Sequence, residues 1–117
     1  MASNRMARVN EELQRELAAL IPTVKDPRVA EAGMISVTGV DAAADLKQAK
    51  VYVSVLDKSK EKDALKGLKS AAGWLRREVG RALTLRATPE LFFIADDSMD
   101  NGAHILSILR SLDGKES

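Results

Sequence analysis

Met6, Val9, Leu13, Leu17 and Leu20 recur at spacings of three and four within SNRMARVNEELQRELAALI, residues 3–21, while Arg8, Glu11, Glu12 and Arg15 fall on the other side. That period predicts an amphipathic helix. Ser3 stands where an N-cap is expected. Pro22 and the following KDPRV should end the helix, since proline lacks an amide donor and restricts the residue before it. The period then shortens to two. MISVTGVD (34–41) and AKVYVSVL (49–56) are rich in β-branched residues, and in the second Val51, Val53 and Val55 share one face with Lys50, Tyr52 and Ser54 on the other. These read as two strands, and the short AAADL connector makes them an antiparallel pair. DKSKEKD (57–63) reads as a charged surface loop, LFFIA (91–95) after Pro89 as a third strand, and 98–112 as a last helix with Ile105, Leu106, Ile108, Leu109 and Leu112 apolar.

The longest helical pattern lies between these. Leu65, Leu68, Ala72, Leu75, Val79 and Ala82 or Leu83 form one stripe at ~100° per residue, and the stripe runs through Gly73. Lys66, Lys69, Gly73, Arg76, Arg77 and Arg81 occupy a second arc, and Trp74 falls away from the core if the helix is straight. Glycine inside a helix costs ~1 kcal/mol relative to alanine, and a large exposed indole is unfavourable. A break near residues 71–73 would ease both oddities, because glycine accepts unusual dihedrals and lets another backbone approach. The expectation is two helices joined by a tight kink, flanked by basic residues. The order helix, strand, strand, long helix, strand, helix makes an α+β domain, a three-stranded sheet with its helices on one face.

Composition narrows what such a domain does. At 117 residues the chain has the length of one domain, expected to span 1–117 with an ordered core of about 4–112. With no cysteine, disulfides, thiolate zinc sites and cysteine nucleophiles are excluded. No signal peptide or 18-residue apolar run is visible, so a cytoplasmic protein without a membrane partner is expected. Net charge is only +1, yet Lys66 to Arg86 holds two Lys and four Arg against one Glu, which points to a face for a polyanion. The plainer readings stand beside it: a basic arc opposite an apolar one is also an ordinary solvated face, and a lone helical glycine is often a packing contact.

Catalytic chemistry finds little support. His104 is the one histidine, without a nucleophile partner in the pattern. DDSMD (96–100) suits a helix start, with Ser98 as cap and acids in the first turn, better than a metal site. No GxGxxG or GxxxxGK[ST] is present, so no nucleotide cofactor is expected. Two helices about a kink beside three strands resemble KH domains, which clamp a nucleotide backbone with a GxxG turn, but this chain has no GxxG. On the residues alone, nucleic-acid binding and a small protein-interaction module both remain open. In the second, the basic helix docks on an acidic partner with Trp74 as anchor.

The order of several short segments carries a sharper signal. RV (Arg8, Val9), KDPRV (25–29), ISVTGVD (35–41), DLKQAKVYVSVL (45–56), LKSAAGWLRREV (68–79), LRATPELFF (85–93) and DDSMDNGAHI (96–105) together resemble the bacterial ribosome-binding factor A family, from about Arg5 to Leu112. The resemblance implies a type II KH-like fold in which a helix–Ala–helix kink, here Ala71, Ala72 and Gly73, replaces GxxG. It also implies a non-enzymatic factor that binds the small (30S) ribosomal subunit and its 16S rRNA during late maturation and rRNA processing, with a link to growth in the cold. AAAD (42–45) replaces the family's apolar–Ser–Pro–Asp turn, which puts that hairpin's geometry in question, and any function of a long C-terminal tail in relatives is expected to be absent.

On this reading Lys66, Lys69, Arg76, Arg77, Arg81 and Arg86 neutralise phosphates, with arginine the stronger because its planar fork can grip a phosphate bidentately. The kink at Ala71, Ala72 and Gly73 lets RNA close to the backbone. Arg5, Arg8, Lys25 and Arg28 are second-rank RNA contacts. With only Trp74, Tyr52, Phe92 and Phe93 aromatic, recognition of folded RNA shape is expected over readout of a linear motif. The free protein is expected to be a monomer that needs no metal or cofactor.

Overall fold

The computed structural model describes residues 2–85 and 87–96. Arg86, the helix expected over 98–112, His104 and the DDSMD segment past Asp96 lie outside the described residues. Helix α1 (Ala2–Leu20) passes into a 3-10 turn (Ile21–Thr23), and a short α2 (Pro27–Ala30) follows. Then come β1 (Ile35–Ala42), β2 (Gln48–Val55), a second 3-10 turn (Lys58–Lys60), α3 (Glu61–Ala82) and β3 (Glu90–Ala95). Helix α1 already includes Ser3, so Ser3 is not its N-cap. Pro22 sits in the first turn of the 3-10 segment, where its missing amide costs nothing.

The strands lie in the order β1-β2-β3. β1 and β2 are antiparallel, as their short connector requires, and β3 lies parallel to β2 after the α3 crossover. Both long helices cover one face of this sheet. Leu13 and Leu17 of α1, Leu68, Leu75 and Val79 of α3, and Val51 and Val53 of β2 are wholly buried in one cluster with Val37, Val40, Leu91 and Phe93. Of the phenylalanine pair, Phe93 joins the core and Phe92 points to the open face. The α+β class and the KH-like arrangement expected from the sequence are present.

Strand β1 does not follow a period of two. Val37 and Val40 are three apart and would face opposite sides of a regular strand, yet both are buried. A β-bulge resolves this. The register shifts between Val37 and Gly39, Thr38 is the extra residue, and the inward phase resumes at Val40. The Val37 carbonyl accepts from Gln14 Nε2 at 3.0 Å, so α1 satisfies an acceptor at the bulge. At the other end of this edge strand Asn10 Oδ1 accepts from the Ala42 amide at 2.9 Å.

The AAAD hairpin also holds its shape without the hydroxyl and proline. Asp45 Oδ1 accepts from the Lys47 amide at 3.0 Å, and the Leu46 amide donates to the Ala43 carbonyl at 2.8 Å. Leu46 takes a left-handed φ of 59°, a conformation unfavourable for a branched side chain, and burial of that side chain in the core offsets the strain.

The expected division into two helices is not there. Helix α3 runs without a break from Glu61 to Ala82, 22 residues, and Gly73 lies within it. The reason is that its buried stripe, Ala64, Leu68, Leu75 and Val79, keeps a single helical phase across residue 73, so nothing in the packing asks for rotation. The helix also starts earlier than expected, because the charged segment 57–63 forms a 3-10 turn, capped by Asp57 through the Ser59 amide, and then the first turn of α3. Glu61 and Asp63 suit the positive end of that helix.

Candidate nucleic-acid interface

Continuous α3 distributes the predicted contact residues over three surfaces. On the flank toward β3, Lys69, Ala72, Gly73 and Arg76 line a groove of about 700 Å³ whose other wall is Glu90 to Ile94. Arg76 is oriented there by its Nε, which donates to the Thr88 carbonyl at 3.1 Å. On the opposite flank, Ser70, Ala71 and Trp74 line a hollow of about 440 Å³ with Thr23, Val24, Lys25 and Asp26. Along the crest between the flanks, opposite the buried stripe, stand the exposed Lys66, Arg77 and Arg81.

Charge on the crest is only lightly masked. Arg81 Nη1 pairs with Glu78 Oε2 at 3.1 Å, an exposed i,i+3 contact of small energetic weight. Among the described residues no carboxylate pairs with Lys66, Lys69 or Arg77. Among the described residues, then, no internal bond has to break before these three cations meet an external anion.

Gly73 does not serve close packing. A methyl group placed on it would have Arg77 Nη1, 4.0 Å away, as its nearest neighbour. The glycine that packing requires is Gly67, which the sequence pattern did not single out. A Cβ there would stand 2.7 Å from Val29 Cγ2 and 3.1 Å from Arg28 Cβ, so α2 is seated directly on the α3 backbone.

The KDPRV segment is more than a loop. Asp26 is the N-cap of α2, accepting from the Arg28 amide at 2.9 Å, and Pro27 fills the first helical position. The Asp-Pro pair is a helix-start signal in the sequence, but KDPRV is expected only to end the first helix, and that expectation misses α2. Arg28 closes back on the cap: its Nε and Nη2 donate to Asp26 Oδ1 and Oδ2 at 3.0 and 2.7 Å, and Nη2 also reaches Ser70 Oγ at 3.1 Å. Hydrogen bonds from the Arg28 side chain and amide hold the Asp26 carboxyl below its ordinary value, and Asp26 in turn raises Arg28. Arg28 is thus a clamp between α2 and α3. Lys25 is carried to the rim of the Trp74 hollow, whereas Arg5 and Arg8 are exposed on α1 and line neither cavity.

A KH-like α+β domain with a cationic helix between two grooves defines the class. The chain belongs to the family described as ribosome-binding factor A, whose profile matches residues 5–109. The ribosome-binding factor A of Clostridium botulinum (strain Okra / Type B1) is 44% identical over 119 aligned positions, covering 100% of this chain and 98% of that protein. The crystal structure of ribosome-binding factor A from Thermus thermophilus is similar with a TM-score of 0.68 at 29% identity, over 77% of this chain and 93% of that one. A homology model of the Thermus thermophilus ribosome-binding factor A, fitted into a cryo-electron-microscopy map of a 30S complex with that factor, is similar with a TM-score of 0.64 at 28% identity, over 76% of this chain and 92% of that one.

Proposed function

We propose that this protein binds the small ribosomal subunit through 16S rRNA, with the crest of α3 as its principal phosphate contact. The observation that carries this is the row of exposed cations on α3, Lys66 and Arg77 on the crest and Lys69 beside them in the wall of the groove toward β3, unpaired with any described carboxylate. Arg76 and Arg81 extend the row while keeping one internal bond each. The family's 30S-bound member supports the choice of partner. A rigid helix presenting charge to phosphates recognises the shape and spacing of folded RNA more than its sequence.

The protein acts in this reading by occupancy and not by catalysis. It holds an rRNA conformation during late maturation and processing in the cytoplasm, a task of greatest value in the cold, where misfolded RNA escapes slowly. Because the contact is made through phosphates, the binding constant should fall steeply with salt, with a slope of about −0.7 to −0.9 per phosphate neutralised. Co-sedimentation with immature and mature small subunits across a salt series tests this. The expected result is retention on immature particles and release at high salt. Retention that ignores salt, or an equal preference for mature particles, would overturn it.

A further inference from the structure

We propose that the hollow between the 23–26 segment and α3 receives one unstacked nucleobase, laid on the ring of Trp74, from the RNA strand whose phosphates run along the crest. This assignment rests on the RNA-binding reading above and adds to it a second, uncharged mode of contact.

Trp74 is the starting observation. Its indole is 36% exposed on a continuous helix, although an apolar ring of that size gains from burial. The α2 segment, drawn in by Gly67 and clamped by Arg28 to Ser70, brings the preceding residues alongside the ring without covering it. What results is a cavity of about 440 Å³ with Val24, Ala71 and the indole as apolar lining. That volume lies within the range of small-ligand sites, and an apolar wall with a few convergent polar groups is their usual make-up.

The polar groups favour a base over an apolar side chain. Lys25 supplies a cation at the rim. Ser70 Oγ accepts from Arg28 Nη2, which leaves its hydroxyl proton to donate to a ring nitrogen or carbonyl. Asp26 would otherwise repel a phosphate, but both of its oxygens are taken by Arg28. The hollow also adjoins the crest. Ser70 follows Lys66 by one helical turn, and Arg77 follows Trp74 by three residues, so a phosphate held at Lys66 or Arg77 has its base within reach of the indole. An acidic polypeptide would meet the same cations, and it forms the contrary outcome below.

Trp74 is the one tryptophan of the chain, so emission excited at the red edge, where Tyr52 does not absorb, reports on this site alone. The full-length protein is titrated with 16S rRNA transcribed in vitro, with Trp74 emission read beside filter retention of the labelled RNA. Quenching that saturates together with binding is expected. Trp74→Leu should weaken binding by about five- to a hundredfold, the loss of one stacked base. It should leave the slope of log K against log salt unchanged, because stacking releases no counterions. Trp74→Phe, which keeps a π-face, should recover most of the affinity, and circular dichroism confirms that both variants fold. RNA binding with constant Trp74 emission, or unimpaired binding by Trp74→Leu, overturns the proposal and leaves the phosphate-led reading intact. No salt-sensitive binding by either parent or variant sinks that reading first. Emission that responds to poly-glutamate and not to rRNA overturns the base and assigns the hollow to a protein partner.

Discussion

Gly67 and Gly73 stand six residues apart on one helix and carry opposite consequences. At Gly67 an added methyl would press on the Val29 side chain at 2.7 Å and on the Arg28 Cβ at 3.1 Å, neither the free end of a flexible chain. Gly67→Ala should therefore lower stability by about 1–2 kcal/mol, overpacking outweighing the better helix propensity of alanine. At Gly73 the space is open, and Gly73→Ala should raise stability by about 0.5–1 kcal/mol. Urea denaturation of both variants checks the pair, and equal effects would refute the contrast. Asp26 adds a dependence on pH. Its folded carboxyl titrates below the ordinary value of 3.8, so the stability it contributes is complete above that value and is lost as pH falls through the lower folded one. The difference in stability between the parent and Asp26→Asn, which can still cap α2 but carries no charge, should be steady at neutral pH. It should shrink in acid below that value, as urea midpoints at a series of pH values would show.

Elements here are set by phase. The stripe through α3 keeps one helical phase from Ala64 to Val79, which is why the helix continues past a glycine that invited a break. Leu75 lies at the centre of that stripe and is wholly buried, and Leu75→Ala should cost about 2–5 kcal/mol through the cavity it leaves. Strand β1 meets the opposite demand, since its inward residues Val37 and Val40 are out of phase and Thr38 absorbs the difference. Deleting Thr38 would leave Val37 and Val40 two apart, so that a regular strand turns both inward, and the deletion variant should keep cooperative unfolding, seen as a sharp thermal transition by circular dichroism. Loss of that transition would show that the bulge itself, with its bond from Gln14 to the Val37 carbonyl, is required.

Over the whole molecule, binding should divide between surfaces. Lys66→Glu with Arg77→Glu removes two crest cations that have no described carboxylate partner, so the fold should survive. The salt slope of rRNA binding should become less steep by about 0.7–0.9 for each phosphate that is no longer neutralised. An unchanged slope would move the phosphate-binding surface elsewhere. Retention of the fold by thermal melt keeps the result interpretable.

The sequence by itself determined the elements that repeat locally. Period three-to-four marked α1 and α3, period two marked β2, and the cluster of Lys and Arg between 66 and 86 marked the charged helix, because each pattern is written along one segment and needs no partner to be read. The family likeness followed from the order of short motifs. Tertiary structure alone decided the rest. Whether Gly73 breaks the helix, which glycine admits a neighbour, and how α1 and the bulge share the Val37 carbonyl all depend on volumes meeting across the fold. Arg28 and Ser70, 42 positions apart, are joined by a hydrogen bond that no local period encodes. The packing of α2 on one flank of α3 and β3 on the other sets Lys25 beside Trp74 and sorts one basic arc into a crest and two grooves.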